Sequence, residues 1–498
     1  MIRIGSLPCW LAVAAAAAAG ASWAQGPRDP LVSVPAQVKI GIENVSLPGD
    51  ENMGLVGTTY LVELGHGFSV GGAAYGAISG RRGGLFTVGA AAGWQRRLAG
   101  PLTLDLGLYA GGGGGGAAPV GGGLMLRPHA DLLWDFGPYL AGVSLSRVRF
   151  ANGDISSRQL GLVFNAKTDF RYLPRHRIAQ PSQAVGRSGV GFDRALAVAG
   201  LYKPSDSAVR NNRGPHTADI GYVGMRMERA LNEHAYWGVE ATGAASGGVG
   251  GYAEYLATAG LQNELWPGVL TVGTRAAFGM GGGGDVGVGG GLLLKGSVYG
   301  TLHVTPSFGV LLEAGVVKAP QGSFKATSGS ASLVWTLDAP NDATASVRHT
   351  RMEWVGGVER NNAQRRDGSR RTMQAVVLKV NRYVSPHFYL TGQAHSAYGG
   401  EAGGYSVGLI GVGAKTPLWG PVHAGAEAMV GAAGGGGIDT GGGGLAQPMA
   451  YLGVDLSPAV LLRVGAGRIF ALGDGALDAS VVDVSLAFTF GVASREPR

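Results

Sequence analysis

Hydrophobic and polar positions alternate with a period of two along most of the chain. The alternating segments are about nine to twelve residues long and are separated by turn residues, a pattern that predicts antiparallel β-strands. The first third of the chain gives eight such strands, at residues 37–47, 54–64, 68–78, 85–96, 102–110, 124–133, 139–150 and 159–170.

Three glycine-rich runs mark a longer repeat. Each run follows an alternating strand and ends before a leucine, and the runs cover residues 111–123, 281–291 and 434–444. A histidine also occupies the second turn of each unit, at His66, His234 and His387. Self-similarity of this kind predicts three repeats of about eight strands, at residues 37–174, 195–337 and 352–490.

The segments outside the repeats are short. Residues 1–24 have the form of a cleaved signal peptide, with Arg3, an apolar run and a small-residue site at Ser22-Trp23-Ala24. Residues 25–36 are expected to form a short periplasmic N-terminal segment, residues 175–194 and 338–351 to connect the repeats, and residues 491–498 to form a C-terminal tail.

The composition differs from that of a soluble globular protein. Glycine contributes 91 of 498 residues, and charged residues make up 15% against about 25% in typical domains. No apolar stretch after the signal peptide is long enough for a helical span, whereas a membrane-spanning strand needs only about ten alternating residues. The one cysteine, Cys9, lies in the signal peptide, so the mature chain is expected to have no disulfide and no thiolate metal site.

The last strand carries a motif that identifies a class of proteins. Asp483, Ser485, Phe488 and Phe490 follow one another in an alternating strand, which resembles the C-terminal β-signal of Gram-negative outer-membrane β-barrel proteins. The resemblance implies an all-β transmembrane antiparallel barrel in the outer membrane and recognition by the outer-membrane assembly machinery. Because such barrels keep short turns in the periplasm, the glycine runs are expected on the outer face.

The repeats allow one barrel or three. We expect a single 24-stranded barrel, because the inward positions are often small and an eight-stranded barrel must fill its interior with side chains. Asp105 and Arg275 are predicted to face its lumen from the same inward position of the strand before the glycine run. The alternative is three tandem eight-stranded barrels.

A barrel this wide would need a plug, and the glycine hairpins are the candidate. Glycine lets backbones approach closely and adopt positive φ, so three hairpins could meet over the lumen; the other interpretation is flexible loops. The predicted gating or contact residues are Gly111, Gly116, Gly121, Gly281, Gly284, Gly291, Gly434, Gly437 and Gly444.

Two loops predicted to be outside are rich in arginine. Their residues are either solvated or contact lipopolysaccharide phosphates or an acidic polymer, and they are Arg210, Arg213, Arg360, Arg365, Arg366, Arg370 and Arg371. Outer-membrane lipids and a partner lipoprotein are further expected partners. The formal net charge of +7 gives no case for nucleic-acid binding.

These features favour a porin-like transport or export channel of unknown cargo. The stretch Gly441–Pro448 is similar to strands of exopolysaccharide-secretion barrels, which implies a polymer as one candidate cargo. The alternative function is a non-conducting surface scaffold or adhesin that uses the glycine hairpins for extracellular contacts. We expect no enzymatic activity, cofactor or metal site, since no catalytic motif is present and the spacing of His129 and Asp131 is common by chance.

Overall fold

The computed structural model describes residues 31–178, 187–211, 214–337 and 347–495. The predicted signal peptide and Arg213 lie outside these ranges. Within them the chain forms three closed antiparallel barrels of eight strands each. No helix in the same ranges is both long and apolar enough to cross a membrane.

The first barrel follows the chain order from strand to strand. Its first strand pairs with its eighth from Val32 opposite Tyr172 to Glu43 opposite Gly161, which closes the sheet. The strands are β1 Val32–Leu47, β2 Glu51–Gly65, β3 Phe68–Ser79, β4 Phe86–Ala99, β5 Leu102–Gly114, β6 Met125–Asp135, β7 Tyr139–Phe150 and β8 Ser156–Tyr172.

The second barrel has the same order of strands, with one insertion. A small two-stranded sheet, β10 Val209–Arg210 and β11 Gly214–Pro215, lies in the connection after its first strand. The barrel strands are β9 Arg194–Pro204, β12 Ile220–Ala230, β13 Ala235–Ala244, β14 Ala253–Trp266, β15 Leu270–Gly282, β16 Leu292–Thr305, β17 Phe308–Lys318 and β18 Lys325–Thr336.

The third barrel closes through its first and last strands, which are longer than expected. These strands pair from Val347 opposite Arg495 to Asn361 opposite Val481, so part of the predicted connection and tail is strand. The barrel consists of β19 Val347–Asn361, β20 Met373–Tyr383, β21 Phe388–Gly399, β22 Ser406–Trp419, β23 Val422–Gly434, β24 Gly444–Asp455, β25 Val460–Ala471 and β26 Asp478–Arg495.

Three closed sheets replace the single 24-stranded barrel that the small inward residues suggest. The reason is that tyrosine rings cover the inward glycines and fill each interior. A Cβ at Gly260 would collide with the ring of Tyr236, and a Cβ at Gly413 would collide with the ring of Tyr389. The same pairing occurs for Gly57 with Tyr75, Gly200 with Tyr222, Gly273 with Tyr299 and Gly425 with Tyr451.

The two ends of each barrel differ. We call "loop end" the end with the connections between strands one and two, three and four, five and six, and seven and eight; the opposite "turn end" carries short turns and the connections between barrels. In the first barrel the loop-end connections are residues 48–50, 80–85, 115–124 and 151–155. The glycine runs therefore all lie at the loop end.

The barrels bury charged side chains inside and expose large apolar side chains outside. Charged side chains such as Arg226 and Arg463 are fully buried, whereas outward leucines such as Leu160 and Leu162 are 73% and 68% exposed. Large exposed aromatic residues cluster at the turn end, at Phe68, Phe136, Tyr139, Trp266, Phe388 and Trp419. This distribution is the reverse of that in a soluble protein and is typical of membrane barrels.

The three barrels pack into a ring. Each uses its third strand to contact the fifth strand of a neighbour: β3 contacts β15, β13 contacts β23 and β21 contacts β5. Because every barrel offers the same two faces, the arrangement is head-to-tail and closes after three units. One chain thus builds the equivalent of a cyclic trimer.

Candidate functional site

The glycine hairpins form the contacts between the barrels at the loop end. Each hairpin lies against the connection between strands three and four of a neighbour. The amide of Gly83 donates to the carbonyl of Gly289 (3.0 Å), and the amide of Gly444 donates to the carbonyl of Ala245 (3.1 Å). At the third contact, Gly403 and Gly404 donate to the carbonyls of Gly121 (3.1 Å) and Gly113 (3.0 Å).

These contacts need glycine because backbone meets backbone. A Cβ at Gly282 would lie 2.6 Å from the amide nitrogen of Gly84, and one at Gly404 would lie 2.9 Å from that of Gly115. Real Cβ atoms do not approach other atoms so closely, so any larger residue would push two barrels apart. The hairpins therefore form part of the interface between the barrels.

The nine glycines singled out from the sequence divide into two groups. Gly121, Gly291, Gly434 and Gly444 contact another barrel. The others contact their own barrel, and Gly116 (φ 58°), Gly284 (φ 55°) and Gly437 (φ 72°) adopt the left-handed conformation that favours glycine. Gly111 and Gly281 lie at the ends of β5 and β15, beside Tyr109 and Leu293.

Arginines from the predicted basic loops hold the hairpins in place. Arg365 donates to the carbonyls of Gly436 (3.0 Å) and Glu401 (2.9 Å) and also to that of Gly400. Arg210 occupies the matching place in the second barrel, since Arg210 pairs with Val286 as Arg365 pairs with Ile438. Its guanidinium lies 3.6 Å from Asp285 and donates to the carbonyl of Gly248 (2.8 Å).

The other basic-loop residues lie nearer the solvent. Arg371 pairs with Glu401, and Arg370 donates to Gln364 Oε1 (3.2 Å) and to the Asp478 carbonyl (3.2 Å). The side chains of Arg360 and Arg366 are exposed. The loop end of the third barrel therefore has a positively charged surface, although Arg365 is hydrogen-bonded to carbonyl groups.

Two groups in this loop have shifted pKa values. Burial lowers the pKa of Arg365, and repulsion from Arg371 lowers it further. The pKa of Asp367 is also lowered, because the side chain and the backbone amide of Ser369 both donate hydrogen bonds to its carboxylate. Asp367 therefore keeps its negative charge at the tip of the loop.

Asp105 lies in an ion-pair cluster inside the first barrel. Lys39 Nζ is 2.9 Å from Asp105 and 3.0 Å from Asp131, and it lies 3.2 Å from His129 Nε2. Nearby, Arg127 pairs with Glu43 through two contacts of 2.8 and 2.9 Å. The interior is thus cross-linked by charged side chains.

Arg275 lies in a similar network inside the second barrel. It pairs with Glu240 (2.6 Å) and Glu313, and both carboxylates also bind Arg226. Lys295 adds a fifth cation–carboxylate contact, 3.1 Å from Glu240. Arg275 is the sixth residue of β15 and Asp105 the fourth of β5, so the two lie one inward step apart rather than at one position.

The interior of the third barrel also contains buried ion pairs, formed by different residues. Glu427 binds Arg463 (2.7 Å) and Lys379, while Glu353 binds Lys415 (2.6 Å) and accepts from Tyr383 (3.0 Å). The alternating pattern of the sequence does not predict these ion pairs, because the inward positions of the strands contain glycine, alanine and single charged residues. Partners from strands far apart in sequence meet only after closure.

One cluster has the composition of a metal site. The ligand atoms of Asp105, His129 and Asp131 all lie within 4.8 Å of one another. The ammonium group of Lys39 contacts all three residues and so supplies the cation of this cluster. The sequence analysis noted His129 and Asp131 but had no signal for Lys39, which lies on another strand.

Two residues of the β-signal-like strand serve the contact between the first and third barrels, which no short connection joins. The ring of Phe490 lies 5.2 Å from Phe170 of the first barrel and 5.3 Å from Trp354. Phe488 packs against the same cluster. Asp483 and Ser485 instead lie within the third barrel, where the Ser485 hydroxyl donates to Asp483 (3.1 Å).

Comparisons with known proteins give only distant similarity. No protein-family model and no curated protein matches the chain. Outer membrane protein opdK from Pseudomonas aeruginosa aligns at 10% identity and a TM-score of 0.23, over 92% of this chain and 99% of that one. The ferric enterobactin receptor PfeA from the same organism aligns at 10% identity and a TM-score of 0.29, over 94% and 82%.

A third solved structure is similarly distant from this chain. The siderophore receptor PirA from Acinetobacter baumannii aligns at 9% identity with a TM-score of 0.28, over 94% of this chain and 81% of that one. TM-scores this low do not align one architecture with another, so no function is transferred from these proteins. The functional argument rests on the barrels themselves.

Proposed function

We propose that this protein is an outer-membrane scaffold of a Gram-negative bacterium, in which three filled barrels form one rigid platform and the loop end faces the cell exterior. The observation that carries the proposal is the inversion of polarity: buried ion pairs inside each barrel and exposed leucine, valine and aromatic side chains outside. Such a surface is stable only against lipid.

Filled interiors support a scaffold over a wide channel. In the second barrel, the buried Arg226 of β12 binds Glu313 of β17 (2.9 Å), a strand that is not its neighbour, so the pair crosses the interior. Eight-stranded barrels have room for side chains but not for a broad aqueous channel. None of the three barrels therefore has a lumen wide enough for a polymer such as exopolysaccharide.

The proposed scaffold presents cations outside. Arg360 and Arg366 are exposed at the loop end of the third barrel, beside the pair of Arg371 with Glu401. Arginine binds phosphate and carboxylate oxygens in a bidentate manner. The ligands that fit this surface are the anionic groups of lipopolysaccharide or of an acidic surface polymer. The glycine hairpins instead contact neighbouring barrels.

Transport of small ions is the second candidate. The observation that favours it is the charged interior, where polar atoms such as Asp105 Oδ1 and Asp131 Oδ1 are buried without a hydrogen-bond partner in the protein. Unsatisfied polar atoms of this kind fit water molecules or small ions. Transport and scaffolding differ in whether the purified protein conducts.

Cysteine labelling on intact cells tests the orientation. Asp367→Cys places a thiol on an exposed loop-end turn, and Glu233→Cys places one on an exposed turn-end turn. A membrane-impermeant maleimide should label the first variant on intact cells and the second only after the outer membrane is opened. If only Glu233→Cys is labelled on intact cells, the turn end and not the loop end faces the exterior. Recovery of the protein outside the outer-membrane fraction would refute the proposal.

A further inference from the structure

Two arginines lie directly opposite each other on the outer wall of the first barrel. Arg147 of β7 pairs in register with Arg158 of β8. Both side chains are exposed, as is that of Arg149 two residues further along β7. Opposed side chains of adjacent strands have Cβ atoms about 4.5–5.5 Å apart, and like charges at this spacing are destabilising.

Within the described part of the chain, no carboxylate relieves this repulsion. None of the three arginines forms an ion pair with another described residue, and Arg147 donates a hydrogen bond to the Ser156 hydroxyl (3.1 Å). The inward neighbours Ser146 and Val148 are buried, so the arginines point away from the interior. The arrangement concentrates three positive charges on an outward face.

The third barrel shows how the chain neutralises such a position. Arg468 lies on the corresponding strand β25, and its guanidinium binds Asp478 of β26 through contacts of 2.6 and 2.5 Å. The position in β8 that corresponds to Asp478 is Ser156, because Arg149 pairs with Ser156 as Phe470 pairs with Asp478. Ser156 accepts a hydrogen bond from Arg147 but carries no charge. Among the described residues, the first barrel therefore offers Arg147 a neutral hydroxyl where the third barrel offers Arg468 a carboxylate.

Directly below the arginines the wall is apolar. Val143, Leu145, Leu160 and Leu162 are 50–73% exposed on the same two strands, toward the turn end. Ile42, Val143, Leu160 and Leu162 line a shallow groove with Gly161. Cations above an exposed aliphatic groove match a molecule that has phosphate groups at one end and acyl chains at the other.

We propose that Arg147, Arg149 and Arg158 bind the phosphate groups of a lipopolysaccharide molecule whose acyl chains lie along the groove below. The proposal rests on the scaffold function above, since it needs the loop end in the outer leaflet. A phosphate between Arg147 and Arg158 would accept hydrogen bonds from both guanidinium groups and remove their repulsion. The bound lipid would thereby become part of the wall of the first barrel.

The test compares two variants of the full chain, purified from the outer-membrane fraction. One replaces the unpaired arginines, Arg147→Gln with Arg158→Gln; the matched control is Arg468→Gln, which removes an outward arginine that already has a carboxylate partner. The probes are purified lipopolysaccharide, the same lipopolysaccharide after phosphatase treatment, and inorganic phosphate. Binding is followed as the rise in melting temperature in detergent and by native mass spectrometry.

We expect lipopolysaccharide to bind the wild type and Arg468→Gln equally well, and the double variant about a hundredfold more weakly, because two charge-assisted hydrogen bonds are lost. Phosphatase treatment should remove the difference. Equal binding by the double variant would overturn the inference, as would an equal effect of inorganic phosphate. Absence of the wild type from the outer membrane would refute the proposed function instead, so the two failures are distinguishable.

Discussion

Leu173 and Gly491 join the first barrel to the third by a pair of backbone hydrogen bonds, with the Leu173 amide 2.9 Å from the Gly491 carbonyl and the Gly491 amide 2.7 Å from the Leu173 carbonyl. The two residues lie 318 positions apart in the sequence. Leu173 directly follows β8 and Gly491 lies within β26, so this bridge joins the first and third barrels at the turn end.

This pairing predicts a specific cross-link. Reciprocally bonded residues of antiparallel strands have Cα atoms about 5.5 Å apart, which a disulfide can bridge. In Leu173→Cys with Gly491→Cys we expect oxidation to give a faster-migrating band on denaturing gels, reversed by reductant. The mature chain is expected to lack other thiols, so the single-cysteine variants are clean controls; no cross-link in the folded double variant would contradict the ring.

The contact between Gly434 and Gly251 should tolerate no side chain. A Cβ at Gly434 would collide with the backbone of Gly251, so Gly434→Leu should cost about 1–3 kcal/mol, as overpacking does. Gly408→Leu is the control, since nothing lies within 4 Å of the Cβ position at this exposed outward residue. Unfolding in detergent measures both; equal destabilisation would mean that the hairpins do not carry the interface.

Alternation located the strands but not their closure. The range 139–150 predicted from the sequence coincides with β7, because one apolar and one polar face need a period of two. Alternation does not say which strand pairs with the first, and the inward glycines suggested a wide lumen. Only the structure shows that Tyr236 and Tyr389 cover glycines of the next strand.

The candidate site was predictable only in part. The glycine hairpins could be located because their composition is unmistakable, but their partners are backbone atoms of other barrels, which leave no pattern in the sequence. Arg365 was identified as a loop residue that is either solvated or bound to an anion. Its contacts with the Gly436 and Glu401 carbonyls depend on loops that only the folded barrel brings together.

The cluster around Lys39 should be sensitive to loss of its cation. Lys39→Met would leave Asp105 and Asp131 buried without a counter-ion, which typically costs about 3–5 kcal/mol. Lys167→Met removes a lysine that is 43% exposed and pairs with Asp135, and exposed pairs contribute about 0–1 kcal/mol. Urea unfolding in lipid vesicles should separate the two variants; similar stabilities would show that the interior is solvated.

Arg365 and its neighbour Arg366 allow a controlled test of whether Arg365 stabilises the glycine hairpin. Arg365→Ala removes hydrogen bonds to three carbonyls, and we expect amide hydrogen exchange in residues 434–444 to accelerate by about tenfold. Arg366→Ala, which removes an exposed side chain, should leave the exchange rate unchanged. If both variants exchange like the wild type, the arginine contacts do not stabilise the hairpin.

Single-channel recording in planar bilayers tests the central claim, that three separately closed and filled barrels make up the protein. The intact chain is compared with a variant in which all three glycine hairpins are shortened to two-residue turns, both checked for folding by heat-modifiable gel mobility. We predict that neither form opens a conductance larger than that of a narrow eight-stranded barrel. A large, stable pore in the shortened variant would contradict the account and restore a single wide channel closed by the hairpins.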